Sequence, residues 1–144
     1  MLADDVKDRI QSAYRQLLES RELTPRYGQR QMIAEIANTL ARIPGPGEQA
    51  REPAICVIEA GTGTGKTIAY AVAAIPLAQA LDKRLVVATA TVALQEQFIN
   101  KDLPDIAQAS GLEFTYALAK GRRRYICLSK LDRVLAGGQG ETAA

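Results

Sequence analysis

Histidine is absent from all 144 residues, and this absence removes more chemistry than any other feature of the chain. Without imidazole there is no Ser-His-Asp or Cys-His catalysis and no His-containing zinc site. Cysteine is nearly as rare: Cys56 and Cys127 are the only two, and they do not have CxxC spacing. Such a pair makes no disulfide framework, so a reducing compartment is expected. No apolar run approaches the roughly 18 residues of a membrane span, and the opening MLADDVKDRI carries acids where a signal peptide is basic. These features predict a cytoplasmic chain with no membrane partner. Aromatics make up only 5% against a hydrophobic share of 47%, much of it alanine, which predicts close helix packing rather than an aromatic interior. A net charge of +2 is too mild to imply a nucleic-acid partner by itself, so any basic signal must come from clustering.

The length suits about one domain. Over 4–20, Val6, Ile10, Tyr14, Leu17 and Leu18 recur at helical spacing, with Asp4 and Asp5 at the positive end of the helix dipole. A second helix is expected from Thr24 as cap and Pro25 in the first turn, with Met32, Ile33, Ile36, Ala37 and Leu40 as its apolar stripe. These helices make up segment 1–42. The Pro- and Gly-rich stretch 43–53 is expected to be a surface loop. From Ala54 the pattern changes. AICVIEA (54–60), RLVVATA (84–90) and EFTYALA (113–119) look like buried strands alternating with two further helices, the first of these carrying Pro76 as a kink or break and the next interrupted at Pro104. The expected fold is therefore α/β: a partial RecA-like P-loop NTPase domain with a parallel sheet over 54–119, preceded by N-terminal helices. Cys56 falls inside the first expected strand and reads as a small buried hydrophobe.

Between the first strand and its helix stands AGTGTGKT, Ala60, Gly61, Thr62, Gly63, Thr64, Gly65, Lys66 and Thr67, which fits the phosphate-loop pattern with Ala60 replacing the first glycine. The glycines permit positive φ and present N–H groups to phosphate oxygens with no Cβ in the way. Lys66 is placed to reach the β and γ phosphates, and the Thr67 hydroxyl to ligate Mg²⁺. Nucleoside triphosphate binding follows. A glycine-rich strand-to-helix turn without a ligand is the plainer alternative. At the far end, KGRRRYIC (120–127) sets four basic residues and an aromatic before Cys127. From the residues alone, that cysteine is buried filler, a reactive thiol or one metal ligand.

The segment VIEAGTGTGK (57–66) resembles the first motif of the iron-sulfur superfamily 2 DNA helicases related to XPD and bacterial DinG. PRYGQRQM (25–32) looks like the motif that in those helicases supplies a glutamine beside the base, which carries over Arg26 and Gln29 as candidate nucleotide contacts; two surface polar residues are the alternative. VVATATVALQEQ (86–97) resembles the motif that touches single-stranded DNA, making Thr89, Thr91 and Gln95 candidate backbone contacts, against ordinary capping threonines. KGRRRYIC resembles the entry to the iron-sulfur domain. This implies Cys127 as the first of four ligands of a 4Fe-4S cluster, and Lys120, Arg122, Arg123 and Arg124 as DNA-phosphate contacts, against a solvated basic loop.

The resemblance covers only the front of the family's pattern. Segment 120–144 would be a truncated start of the cluster domain, and the Asp-Glu-x-His box cannot occur in a chain without histidine. The implied intact protein is an ATP-dependent 5′ to 3′ DNA helicase of repair and replication, using ATP with Mg²⁺ on single-stranded and forked DNA, with a monomer favoured. The isolated chain is expected to lack ATPase activity. A noncatalytic nucleotide-binding or regulatory P-loop protein is the competing reading, and a small P-loop kinase a more distant one.

Overall fold

The computed structural model describes residues 2–45, 47–48 and 52–137. Helix α1 spans Asp4–Ser20, α2 Tyr27–Leu40 and α3 Lys66–Ala80; α4 (Val92–Gln97) runs through a π-helical turn, Phe98–Asp102, into α5 (Leu103–Ser110), and α6 covers Leu128–Leu135. Val6, Ile10, Ala13, Tyr14, Leu17 and Leu18 bury one face of α1, which matches the periodicity of that segment. Met32, Ile33 and Ala37 do the same for α2. The core gathers round α3, whose Ala69, Ala71, Val72 and Ala73 are almost wholly buried. Alanines allow close helix approach, and α3 is apolar on every side because α1, α2 and α5 all pack against it.

Two local expectations change and a third holds. α2 begins at Tyr27, not at Thr24 and Pro25: Arg26 is its N-cap in an extended conformation (φ −102°, ψ 132°), with no side-chain cap. Pro76 neither breaks nor divides α3, which runs through it. The ring removes a donor to the Val72 carbonyl, but Val72 and Pro76 are both enclosed by the core, and packing holds the helix together there. Pro104 does mark a change of register. It stands in the first turn of α5, and the preceding Leu103 N–H donates back to the Phe98 carbonyl, closing the π turn.

The larger correction concerns fold class. Among the described residues there is no β-strand and no sheet, so the expected parallel-sheet, RecA-like α/β domain is not what forms. Segments 54–60, 84–90 and 113–119 run without regular pairing. Strand preference of β-branched residues expresses a fit to a pleated, half-buried surface, and it needs a neighbouring strand. Here Val57 is 91% and Val86 85% exposed, so neither has one. Instead, 84–87 and 114–119 line a groove of about 810 Å³ floored by Tyr70, Ile75, Phe98 and Leu103. Cys56 is corrected with its segment: it is exposed, not a buried hydrophobe.

Candidate nucleotide site and basic loop

The glycine loop ends where α3 begins. Gly63 (φ 77°) and Gly65 (φ 81°) both take the left-handed conformation, and Gly65 is the N-cap of α3. Lys66 is the first residue of the helix. Its ammonium donates to the Ala60 and Gly61 carbonyls at 2.7 and 2.8 Å, and Thr64 Oγ1 donates to the Gly61 carbonyl at 2.8 Å. Ala60, Thr62 and Thr67 complete the turn, with Gly61, Thr62, Gly63 and Lys66 exposed on its outer side. The loop thus offers a cation and the N-terminal end of a long helix in one place, a combination that suits an anion. Were a triphosphate with Mg²⁺ bound here, Thr67, the hydroxyl in the first helical turn, would be the residue to hold the metal, which would supply neutralisation of the phosphate charge.

Thr67 also meets Tyr70, one turn further along α3. Burial pushes the Tyr70 phenol above its ordinary range; the hydrogen bond with Thr67 works against that rise, and the nearby Asp102 carboxylate adds to it. Tyr70 also leans on Phe98, with ring centroids 5.8 Å apart.

Arg26 and Gln29 both reach the loop, and both reach its carbonyls. Arg26 Nη1 donates to the Gly63 carbonyl at 2.7 Å, and Gln29 Nε2 to the Gly65 carbonyl at 3.1 Å. Gln29 is buried, and its Oε1 accepts from the Tyr14 hydroxyl at 2.9 Å. From sequence, Tyr14 reads only as part of a packing face. Nothing in its local sequence signals the partnership, because the two residues come from different helices.

The second cluster centres on α4. Thr91 caps it, its Oγ1 accepting from the Leu94 N–H at 3.2 Å, while Thr89 Oγ1 donates to the Thr91 carbonyl at 3.2 Å. Gln95 donates to the Ala119 carbonyl at 3.2 Å and accepts from Arg124 Nη1 at 2.7 Å; Arg124 also lies 3.6 Å from Glu96. Tyr125 closes the same loop by accepting from the Lys120 N–H at 2.8 Å. Thr89, Thr91, Gln95 and the basic loop are therefore neighbours, joined through Arg124. Lys120, Arg122 and Arg123 are exposed, and Arg122–Arg124 form one 3₁₀ turn.

Cys127 is exposed at the N-cap of α6. A 4Fe-4S cluster takes about four thiolates, while the chain contains two cysteines, and no group of three or more metal-binding side chains occurs among the described residues. The residues present do not fit a complete cluster.

A lysine at the head of a helix, fed by a loop with two left-handed glycines, defines a phosphate-loop protein. More particularly, the chain belongs to the family described as Type III restriction enzyme, res subunit, which it matches over residues 22–124. It is 44% identical over 137 residues to the ATP-dependent DNA helicase DinG of Photobacterium profundum, covering 94% of this chain and 19% of that protein. It is 45% identical over 124 residues to the protein of the same name from Escherichia coli, covering 85% of this chain and 16% of that one. The Salmonella choleraesuis protein of that name is 48% identical over 107 residues, 74% of this chain and 14% of the relative. The chain thus spans less than a fifth of the length of these curated relatives.

Proposed function

We propose that this chain is the N-terminal part of an ATP-dependent DNA helicase, and that it binds ATP with Mg²⁺ through Ala60–Thr67. The observation that carries the reading is the placement of Lys66 as the first residue of α3, directly after two positive-φ glycines whose carbonyls are held from α2. The Lys66 ammonium has three donors. Phosphate oxygens, which carry formal charge, are stronger acceptors than the two carbonyls it now meets. The relatives named DinG support both ATP as the nucleotide and DNA as the track.

In this reading Thr89, Thr91, Gln95, Lys120 and Arg122 face the DNA backbone, single-stranded or at a fork. Uncharged side chains on α4 and in the segment just before it, and cations on the 120–124 loop, would contact phosphates without reading sequence. Cys127 follows that loop directly and is the candidate first cluster ligand in a longer polypeptide. ATP supplies the free energy for movement; the chain's own residues hold its phosphates and Mg²⁺.

The DNA half of the proposal is tested by fluorescence anisotropy of labelled single-stranded, forked and duplex oligonucleotides. Binding should be weak, strongest for strands with single-stranded character, and should fall as salt rises. Replacing Lys120 and Arg122 with alanine should reduce the slope of log affinity against log salt by about 1 for each phosphate the variant no longer neutralises. Binding that is independent of salt and unchanged in the double variant would contradict the assignment.

A further inference from the structure

The basic loop is tied to α4 at both of its ends. Gln95 Nε2 donates to the Ala119 carbonyl at 3.2 Å where the loop opens, and Gln95 Oε1 accepts from Arg124 Nη1 at 2.7 Å where it closes. Arg124 Nη2 lies 3.6 Å from Oε1 of Glu96, the next residue of the same helix. Within the loop, the Arg124 N–H donates to the Gly121 carbonyl at 2.8 Å. The Tyr125 hydroxyl accepts the Lys120 N–H at 2.8 Å and donates to the Leu118 carbonyl at 3.5 Å. Lys120 and Tyr125 thus meet across the neck of the loop, with Arg122 and Arg123 between them in the chain.

The four cations of this loop are not equivalent. Lys120, Arg122 and Arg123 are exposed, whereas the Arg124 guanidinium is spent on an amide oxygen and set beside a carboxylate. An arginine can meet both because its planar fork carries five N–H donors in fixed directions. A lysine ammonium is a single point of charge and does not match that pair. Turning Arg124 towards a phosphate would strip Gln95 Oε1 of its partner and leave the Glu96 carboxylate beside an incoming like charge. Gln95 is different: one of its two amide N–H groups goes to Ala119, and the other is left for a phosphate oxygen.

A loop that is already closed loses less freedom when a ligand arrives than one the ligand must order. We infer that Arg124 is a positioning residue and not a phosphate contact: it latches the basic loop to α4, so that Thr89, Thr91 and Gln95 on one side and Lys120, Arg122 and Arg123 on the other form one preformed track for the DNA backbone. Tyr125 closes the neck of the loop behind the latch. The two groups of contacts come from separate stretches of the chain, and Arg124 is the side chain that joins them. This inference rests on the reading of these residues as DNA contacts.

The test is fluorescence anisotropy of a labelled single-stranded oligonucleotide, titrated at several salt concentrations. The proteins compared are the chain, Arg124→Lys, Arg124→Ala, Tyr125→Phe and the double variant with Lys120 and Arg122 changed to alanine, each checked for folding by circular dichroism. Arg124→Lys keeps the charge, so a phosphate contact would survive it largely intact. The latch predicts instead that Arg124→Lys weakens binding about 3- to 10-fold, the scale of one lost hydrogen bond, and so nearly as much as Arg124→Ala. The fall of log affinity with log salt should also become shallower in Arg124→Lys although the net charge is unchanged, because Lys120 and Arg122 are no longer held in place. Tyr125→Phe, which keeps the ring and removes only the hydroxyl, should weaken binding in the same direction and speed hydrogen exchange at the Lys120 N–H. Native affinity and salt dependence in Arg124→Lys, with loss in Arg124→Ala and in the double variant, overturn the inference and leave the DNA reading standing. Binding that the double variant does not change overturns the DNA reading and this inference with it.

Discussion

Arg26 Nη1 donates to the carbonyl of Gly63 at 2.7 Å, tying the N-cap residue of α2 to a left-handed glycine 37 positions further along the chain. The contact is solvent-exposed and charge-assisted, so its effect is modest. Arg26→Ala should weaken Mg-ATP binding about 5-fold, equivalent to roughly 1 kcal/mol. Calorimetric titration reads this directly, and unchanged affinity would mean that the guanidinium does not shape the loop.

Gly63 and Gly65 have nearly the same φ but different surroundings. A Cβ at Gly63 meets nothing within 4 Å, whereas one at Gly65 collides with the Gln29 amide. Gly63→Ala therefore carries only the conformational cost of a left-handed residue, about 1 kcal/mol. Gly65→Ala adds displacement of a buried hydrogen-bonded amide, for a total of about 2 to 4 kcal/mol. Urea unfolding of the two variants should show this order, and equal midpoints would contradict the Gln29 contact.

Tyr70 gives a pH signature. Its folded pKa is raised, by burial first, above the phenol's ordinary value of 10.0. A raised folded pKa means that the contribution to stability is complete below the unfolded value and is lost as pH climbs from there through the folded value. The unfolding midpoint should therefore fall above about pH 10, and the fall should be shallower in Tyr70→Phe. Identical alkaline slopes in the two proteins would show that Tyr70 is not the group responsible.

Arg124 links the basic loop to α4 through Gln95 and Glu96. These contacts lie near the surface, so Arg124→Ala should change global stability by no more than about 1 kcal/mol. Its effect should be local: trypsin should cut faster after Arg122 and Arg123. An unchanged cleavage rate would mean that the loop is not held through Gln95.

How much of this is legible in the sequence depends on the range of the interactions. The α1 stripe is readable because each of its residues serves one face, and the left-handed glycines because Gly-x-Gly-x-Gly-Lys states its backbone needs locally. The runs around Val57 and Val86 mislead because a strand is a property of two segments, and β-branched residues declare only a preference. Cys56 is misread along with its segment. Gln29 and Gln95 stand out as ligand contacts while their partners Tyr14 and Arg124 do not, since hydrogen bonds between separate elements leave no periodic trace. Pro104 announces an interruption but not its form, a π turn that passes directly into α5.

Binding and turnover should separate in this chain. No histidine exists to complete the Asp-Glu-x-His box that the resemblance to iron-sulfur helicases implies. Steady Mg-ATP hydrolysis by the chain alone should be negligible, with or without single-stranded DNA. A turnover abolished by Lys66→Ala would contradict this.

The most direct measurement is a calorimetric titration of Mg-ATP into the chain and into Lys66→Ala. The phosphate-loop account predicts saturable 1:1 binding that weakens at least about tenfold when the ammonium is removed, the scale of one charge-assisted hydrogen bond. Heat that does not saturate, or an isotherm identical in the two proteins, would contradict it.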